Sequence, residues 1–179
     1  MTNVKPVIGI DLGTTYSVVA YVDETSYPKI IDNSDDQNKT PSVVYFEEDK
    51  NVVVGNEAKN SLVADPFHTV ELVKREMANL SSGNKRTWEI HGNTYTPETI
   101  SSLILQKLKK DASTKLGTEV NEAVITVPAY FDTDIREATR KAGELAGLKV
   151  LSIINEPEAA AIAFLHNKIR EPETIFIYD

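Results

Sequence analysis

Cysteine is absent from the 179 residues, which excludes a disulfide framework, a thiolate zinc site and a cysteine nucleophile, and permits a reducing compartment. Histidine is scarce. His68, His91 and His166 are widely separated without ligand-like spacing, so incidental surface histidines are expected rather than a metal centre. No apolar run approaches the roughly 18 residues of a membrane-spanning helix. The opening stretch Met1–Pro6 leads into a short apolar segment, Val7–Ile10, with no small-residue cleavage site behind it. Neither a membrane span nor a secretory signal is expected. Basic residues are outnumbered, 19 Lys and Arg against 27 Asp and Glu, and the net charge of -8 opposes attraction to nucleic acid or an anionic membrane. Internal repeats and low-complexity tracts are missing too. What remains, 41% hydrophobic and 26% charged residues, suits a folded globular chain of one domain or two small lobes.

Two β-branched runs, Val7–Ile10 and Ser17–Val22, flank a short segment rich in glycine and hydroxyls and predict strand, tight turn, strand. A third run, 28–31, ends in the polar loop 32–38. Residues 42–46 and 51–54 read as a second hairpin closing at Gly55. Val70, Val73 and Met77 recur at helical spacing and predict one helix over 65–78 that carries Lys74 and Arg75. Thr96 followed by Pro97 predicts an N-cap, and Ile100, Leu103, Ile104, Leu108, Ala112 and Leu116 form a stripe that Gly117 stops. The last third reads as strand 123–127, helix 132–146, strand 149–154, helix 157–168 and strand 174–178, hence parallel pairing with right-handed crossovers. The fold class is therefore α/β: a mixed sheet flanked by helices, with a small α+β subdomain appended over about 35–118 and the core formed by about 1–34 plus 119–179. A chain that stops directly after a buried strand looks truncated.

Three places carry chemistry. In Asp11-Leu12-Gly13-Thr14-Thr15 the turn leaves main-chain amides without ladder partners, Gly13 allows close approach, and the threonines add hydroxyl donors. Such a turn suits phosphate, with Asp11 at the strand end tolerable only if a cation such as magnesium, held largely through water, lies between. Taken alone, the five residues suit an ordinary hairpin turn equally well. Lys74 taken alone is a solvated helix lysine, and Lys107, Lys109 and Lys110 read as an exposed face. Glu156 stands at the carboxyl end of a parallel strand, where open α/β sheets bind ligands, although Asn155 or Glu156 could simply cap the next helix. Asp179 occupies the analogous place. Three acids (Asp11, Glu156, Asp179) at strand ends of one sheet repel one another unless they share a cation, which favours the metal-phosphate reading.

In order along the chain stand Ile8-Gly9-Ile10-Asp11-Leu12-Gly13-Thr14-Thr15-Tyr16-Ser17, Thr40-Pro41-Ser42, Val54-Gly55-Asn56-Glu57-Ala58-Lys59, Lys74-Arg75, Ala123-Val124-Ile125-Thr126-Val127-Pro128-Ala129-Tyr130-Phe131 and Ile153-Ile154-Asn155-Glu156-Pro157. This series resembles the amino-terminal ATPase domain of the Hsp70 chaperones, the DnaK-like family, over essentially the whole chain. The resemblance implies an actin-like (ribonuclease-H-like) ATPase of which 1–179 is the first of two lobes, working in the cytoplasm with ATP or ADP and Mg2+. It implies that Gly13, Thr14, Thr15 and Tyr16 hold phosphates, and that Lys74 approaches the γ-phosphate. Glu156 would orient water and hydrated magnesium, Asp11 and Asp179 would face the metal shell, and Pro128 and Arg136 would relay nucleotide state. Implied partners are unfolded polypeptides, a J-domain co-chaperone and a nucleotide exchange factor, and the isolated lobe is expected to be nearly inactive. A sugar kinase or a filament protein of the same superfamily is the alternative. The chain departs from the family pattern in a shorter span between Arg75 and Thr96, and in Glu158, Leu165 and Ser152, which stand where threonine, glycine and a basic residue are common.

Overall fold

The computed structural model describes residues 6–49, 51–80, 83, 86–166 and 174–177. Its centre is a mixed sheet in the order β11-β10-β1-β2-β3, with β4 also pairing β2. These strands are β1 (Val7–Asp11), β2 (Tyr16–Val22), β3 (Pro28–Ile30), β4 (Thr40–Pro41), β10 (Glu122–Val127) and β11 (Lys149–Asn155). β1, β10 and β11 run parallel, whereas β2 is antiparallel to β1, β3 and β4. The parallel pairs come from the expected crossovers, α3 (Pro97–Leu116) before β10 and α4 (Thr133–Leu145) between β10 and β11.

Alternation along the strands decides which face is covered. Ile8 and Ile10 of β1, Val19 of β2, and Ala123 and Ile125 of β10 point to one side and are buried with Ile100, Ile104, Leu108 and Ala112 of α3. Both long helices are delimited as their sequences dictate. Thr99 donates its amide to Thr96 Oγ1 at 3.3 Å while its hydroxyl accepts from the Thr96 amide at 2.7 Å, and Gly117 closes α3 in the left-handed region at φ 63°. Asp132 caps α4 by accepting from the Ile135 amide at 3.0 Å. Gly143 lets α4 lie close on the sheet, because a Cβ there would stand 2.4 Å from Val150 Cγ2.

A second sheet, β6-β5-β7, and a hairpin, β8-β9, sit between β4 and α3 in sequence. They comprise β5 (Val44–Phe46), β6 (Val52–Val54), β7 (Thr69–Val70), β8 (Trp88–Ile90) and β9 (Asn93–Tyr95). The helix expected over 65–78 is not one helix. Asp65 is extended (φ -142°, ψ 72°), as a residue before Pro66 tends to be, so the chain forms α1 (Asn56–Ala64), then β7, then α2 (Val73–Ala78). α1 was not expected, since it buries only Ala58 and has almost no apolar stripe. The β8-β9 hairpin is likewise new to the structure. Its two turn residues, His91 and Gly92, both have positive φ (49° and 75°), and His-Gly is not among the usual turn signatures. α5 (Glu156–His166) starts one residue before the expected Pro157, and 167–168 lie outside the described residues. The strand expected over 174–178 is corrected: 174–177 have no strand assignment, and the remaining residue is not described. Among the described residues no helix is long and apolar enough to cross a membrane.

Candidate functional site

The turn between β1 and β2 is braced from below. Ser42, just past β4, donates its hydroxyl to Gly13 O at 2.8 Å and its amide to Thr15 O at 2.9 Å, and its Oγ lies 2.9 Å from Ser17 Oγ. This gives the Thr40-Pro41-Ser42 segment a physical task that sequence reasoning did not assign. Gly13 is required by geometry, since a Cβ would stand 2.1 Å from the main-chain oxygen of Tyr16. Asp11 is exposed at the end of β1 and accepts from Thr126 Oγ1 of β10 at 3.4 Å.

Lys74 and Glu156 meet although 82 residues separate them: Lys74 Nζ donates to Glu156 Oε1 at 2.5 Å, with side chains 11% and 21% exposed. Lys74 is therefore no solvated helix lysine. α2 begins after Leu72, which lies in the left-handed region (φ 58°), a conformation that costs a non-glycine residue about 1–2 kcal/mol. That bend directs Lys74 into a small cavity also lined by Leu12, Thr126 and Phe131, beside the β1-β2 turn. Glu156 closes β11 and opens α5, so the turn, the lysine and the carboxylate come from three elements at one sheet edge. Asp179 lies outside the described residues.

Tyr16 opens β2, and Lys59 of α1 donates to its phenol oxygen at 2.9 Å, while Lys39 Nζ sits 4.4 Å from its ring centre. The hydrogen-bonded ammonium of Lys59, with a further contribution from Lys39, holds the Tyr16 phenol below its ordinary pKa. Neither lysine was singled out as a site residue. With α1 unpredicted, no spacing signal could place Lys59 there.

Pro128 is buried at the end of β10 and its carbonyl accepts from the Phe131 amide at 3.1 Å. Arg136 of α4 is not an exposed helix arginine. Its Nε donates to Phe131 O at 2.8 Å and its guanidinium also donates to Asn155 Oδ1. Asn155 is thus a link between α4 and β11, and its side-chain oxygen is engaged by Arg136 rather than by the amides of α5. Other surface readings change as well. Lys107 pairs with the buried Asp111 at 2.5 Å, and Lys109 donates to Gly147 O at 2.8 Å. His68 and His91, far apart in sequence, stack with ring centres 4.4 Å apart, and Asp65 accepts from His68 Nδ1. Among the described residues no three His, Asp or Glu side chains converge as direct metal ligands.

The sequence pattern of the Hsp70 protein family matches residues 7–179. The chain belongs to the Hsp70 protein family. Its fold is accordingly the actin-like ATPase fold of that family, with a mixed sheet flanked by helices. Among similar proteins, the chaperone protein DnaK of Mycoplasmopsis agalactiae is 49% identical over 173 residues, covering 97% of this chain and 28% of the relative. The chaperone proteins DnaK of Thermotoga neapolitana and Thermotoga petrophila are each 44% identical over the same coverage. The chain therefore spans little more than a quarter of the length of these relatives, and Hsp70 membership favours neither a sugar kinase nor a filament protein.

Proposed function

We propose that this chain is the first lobe of the nucleotide-binding domain of an Hsp70-type chaperone, with a core of about 1–34 plus 119–179 and an appended subdomain of about 35–118. The whole protein would couple ATP binding and hydrolysis to the capture and release of unfolded polypeptides in the cytoplasm. A J-domain co-chaperone and an exchange factor would be its partners, with no role for nucleic acid or membrane. One observation carries the reading: the Lys74–Glu156 pair beside the braced β1-β2 turn, built from elements far apart in the chain.

The donor set fits a nucleotide with magnesium. The turn at Gly13, Thr14, Thr15 and Tyr16 offers main-chain amides and hydroxyls to phosphate oxygens, and its backbone is too tight for a side chain at Gly13. Asp11 and Glu156, with Asp179, would hold hydrated magnesium largely through water. Bound magnesium would neutralise charge on the phosphates. Lys74, presented as an ammonium in a half-enclosed cavity, supplies positive charge where the terminal phosphoryl group loses its bond, or positions the attacking water. Glu156 accepts from that ammonium and can equally accept from the water, which keeps the nucleophile oriented. Hydrolysis is then electrostatic and positional, with no covalent enzyme intermediate. Arg136 and Pro128, tied through Phe131, would carry nucleotide state from this edge toward the peptide-binding region.

In the full-length protein Lys74→Ala should lower ATP turnover by at least about a hundredfold, the scale of losing one preorganised charge, while nucleotide still binds. Wild-type turnover in that variant would remove Lys74 from the mechanism and with it the reading. The 179-residue chain alone should bind Mg-ATP weakly or undetectably by calorimetry, because one wall of the cleft supplies only part of the binding energy.

A further inference from the structure

Glu158 is exposed in the first turn of α5 and has no part in the chemistry above, yet its Oε1 accepts from Asn155 Nδ2 at 2.7 Å. The other end of the same amide, Asn155 Oδ1, accepts from the Arg136 guanidinium. Neither partner is ambiguous. A guanidinium can only donate and an ionised carboxylate can only accept, so turning the amide over would break both bonds at once. Arg136 in turn holds Phe131 O at 2.8 Å, and Phe131 closes the turn that starts at Pro128. Asn155 is registered against Val127 at the ends of β11 and β10, directly before Glu156.

We propose that Glu158 is a positioning residue: by anchoring the Nδ2 end of the Asn155 amide, whose other end accepts from Arg136, it steadies Arg136, and so the 128–131 turn, against the strand end that carries Glu156. For its functional consequence this rests on the nucleotide-site reading, because what Glu158 steadies is the junction of Glu156 with the Pro128 turn. The geometry itself does not need that reading. A shorter side chain at position 158 would not reach the amide in the same way, so Asn155 Nδ2 would lose its acceptor and the amide would be held from the Arg136 side alone.

The test is a set of nitrogen-proton spectra of the 179-residue chain at one pH, without nucleotide, that follow the Asn155 side-chain amide and Arg136 Nε in wild type, Glu158→Gln and Glu158→Thr. Glu158 is exposed, so neither substitution removes packed core. In wild type the two Asn155 amide protons should be well separated. The Asn155 Nδ2 protons, which donate to Glu158, should exchange with water about tenfold more slowly than in Glu158→Thr, the effect of one net hydrogen bond, and Arg136 Nε–H should exchange faster in that variant as its hold on Phe131 O loosens. Glu158→Gln, whose carbonyl can accept the same bond, should stay near wild type. Wild-type shifts and exchange in Glu158→Thr would overturn the proposal, and so would equal losses in Glu158→Gln and Glu158→Thr. These signals are read without ATP, so a full-length protein that fails to hydrolyse ATP would sink the ATPase reading and leave this result standing.

Discussion

Ser42→Ala is the sharpest probe of how the candidate phosphate turn is held in shape. The single hydroxyl proton of Ser42 goes to Gly13 O, so in the 2.9 Å contact between the two serines it is Ser17 that donates. Both serines are essentially out of solvent, at 0% and 1% exposure. Alanine at 42 therefore strands a donor on Ser17 and an acceptor on Gly13 where water cannot easily replace the partner. Each stranded group costs on the order of 1–3 kcal/mol, and since the Gly13 carbonyl is only part-buried we take about 2–3 kcal/mol for the pair. Ser17→Ala strands nothing on Gly13, because Ser42 keeps that bond, and should cost about 1 kcal/mol. The double variant should be no worse than Ser42→Ala alone, since removing Ser17's hydroxyl also removes the donor left unpaired. Urea midpoints at constant slope measure these differences, and a melting midpoint lower by roughly 5–10 °C should accompany Ser42→Ala at this chain length. A Ser42→Ala midpoint within about 0.5 kcal/mol of wild type, or additive effects in the double variant, would refute the bracing of the turn.

Gly13→Ala should be worse than any serine variant for nucleotide binding: its Cβ would press on the Tyr16 main-chain oxygen at 2.1 Å, so the turn must open, and titration of the full-length protein with labelled ADP should show affinity lost by at least about tenfold. Unchanged affinity would mean that the turn is not the phosphate cradle. Asp23 receives hydrogen bonds from Lys29, Thr25 and the Tyr27 amide, which hold its carboxyl well below the usual carboxylate range. A depressed folded pKa gives stability that is present above the unfolded value near about 4 and is lost as pH falls below it. Acid unfolding monitored by circular dichroism should therefore be shallower in Asp23→Asn than in wild type, and identical acid limbs would show that this turn contributes nothing.

Much of the main sheet was legible because its strands other than β4 are bounded by local signals; β4, two residues paired to the start of β2, carries none and was not expected. β1 and β2 are β-branched runs on either side of a glycine-threonine turn, and α3 is fenced by Thr96-Pro97 and Gly117, so their positions follow from short-range chemistry. Segments whose structure depends on distant partners were not legible. α1 packs one alanine and looks polar, the His91-Gly92 turn uses a left-handed histidine, and Pro66 breaks a helical pattern that periodicity alone carries through. The site divides the same way. Gly13, Thr14 and Thr15 can be picked out from a contiguous stretch, whereas Lys74 carries no mark of its own, and only the fold sets it against Glu156. Lys59, Lys39 and Ser42 gather around Tyr16 and Gly13 by tertiary contact, which no spacing along the chain reveals.

The central claim is that phosphate is held by the bend between β1 and β2, and it can be read directly from the main-chain amides there. In the full-length protein, adding Mg-ADP to saturation should give the largest amide shifts of this lobe at Gly13, Thr14, Thr15 and Tyr16. Saturating nucleotide that leaves those four amides unmoved while others in the lobe shift would contradict it.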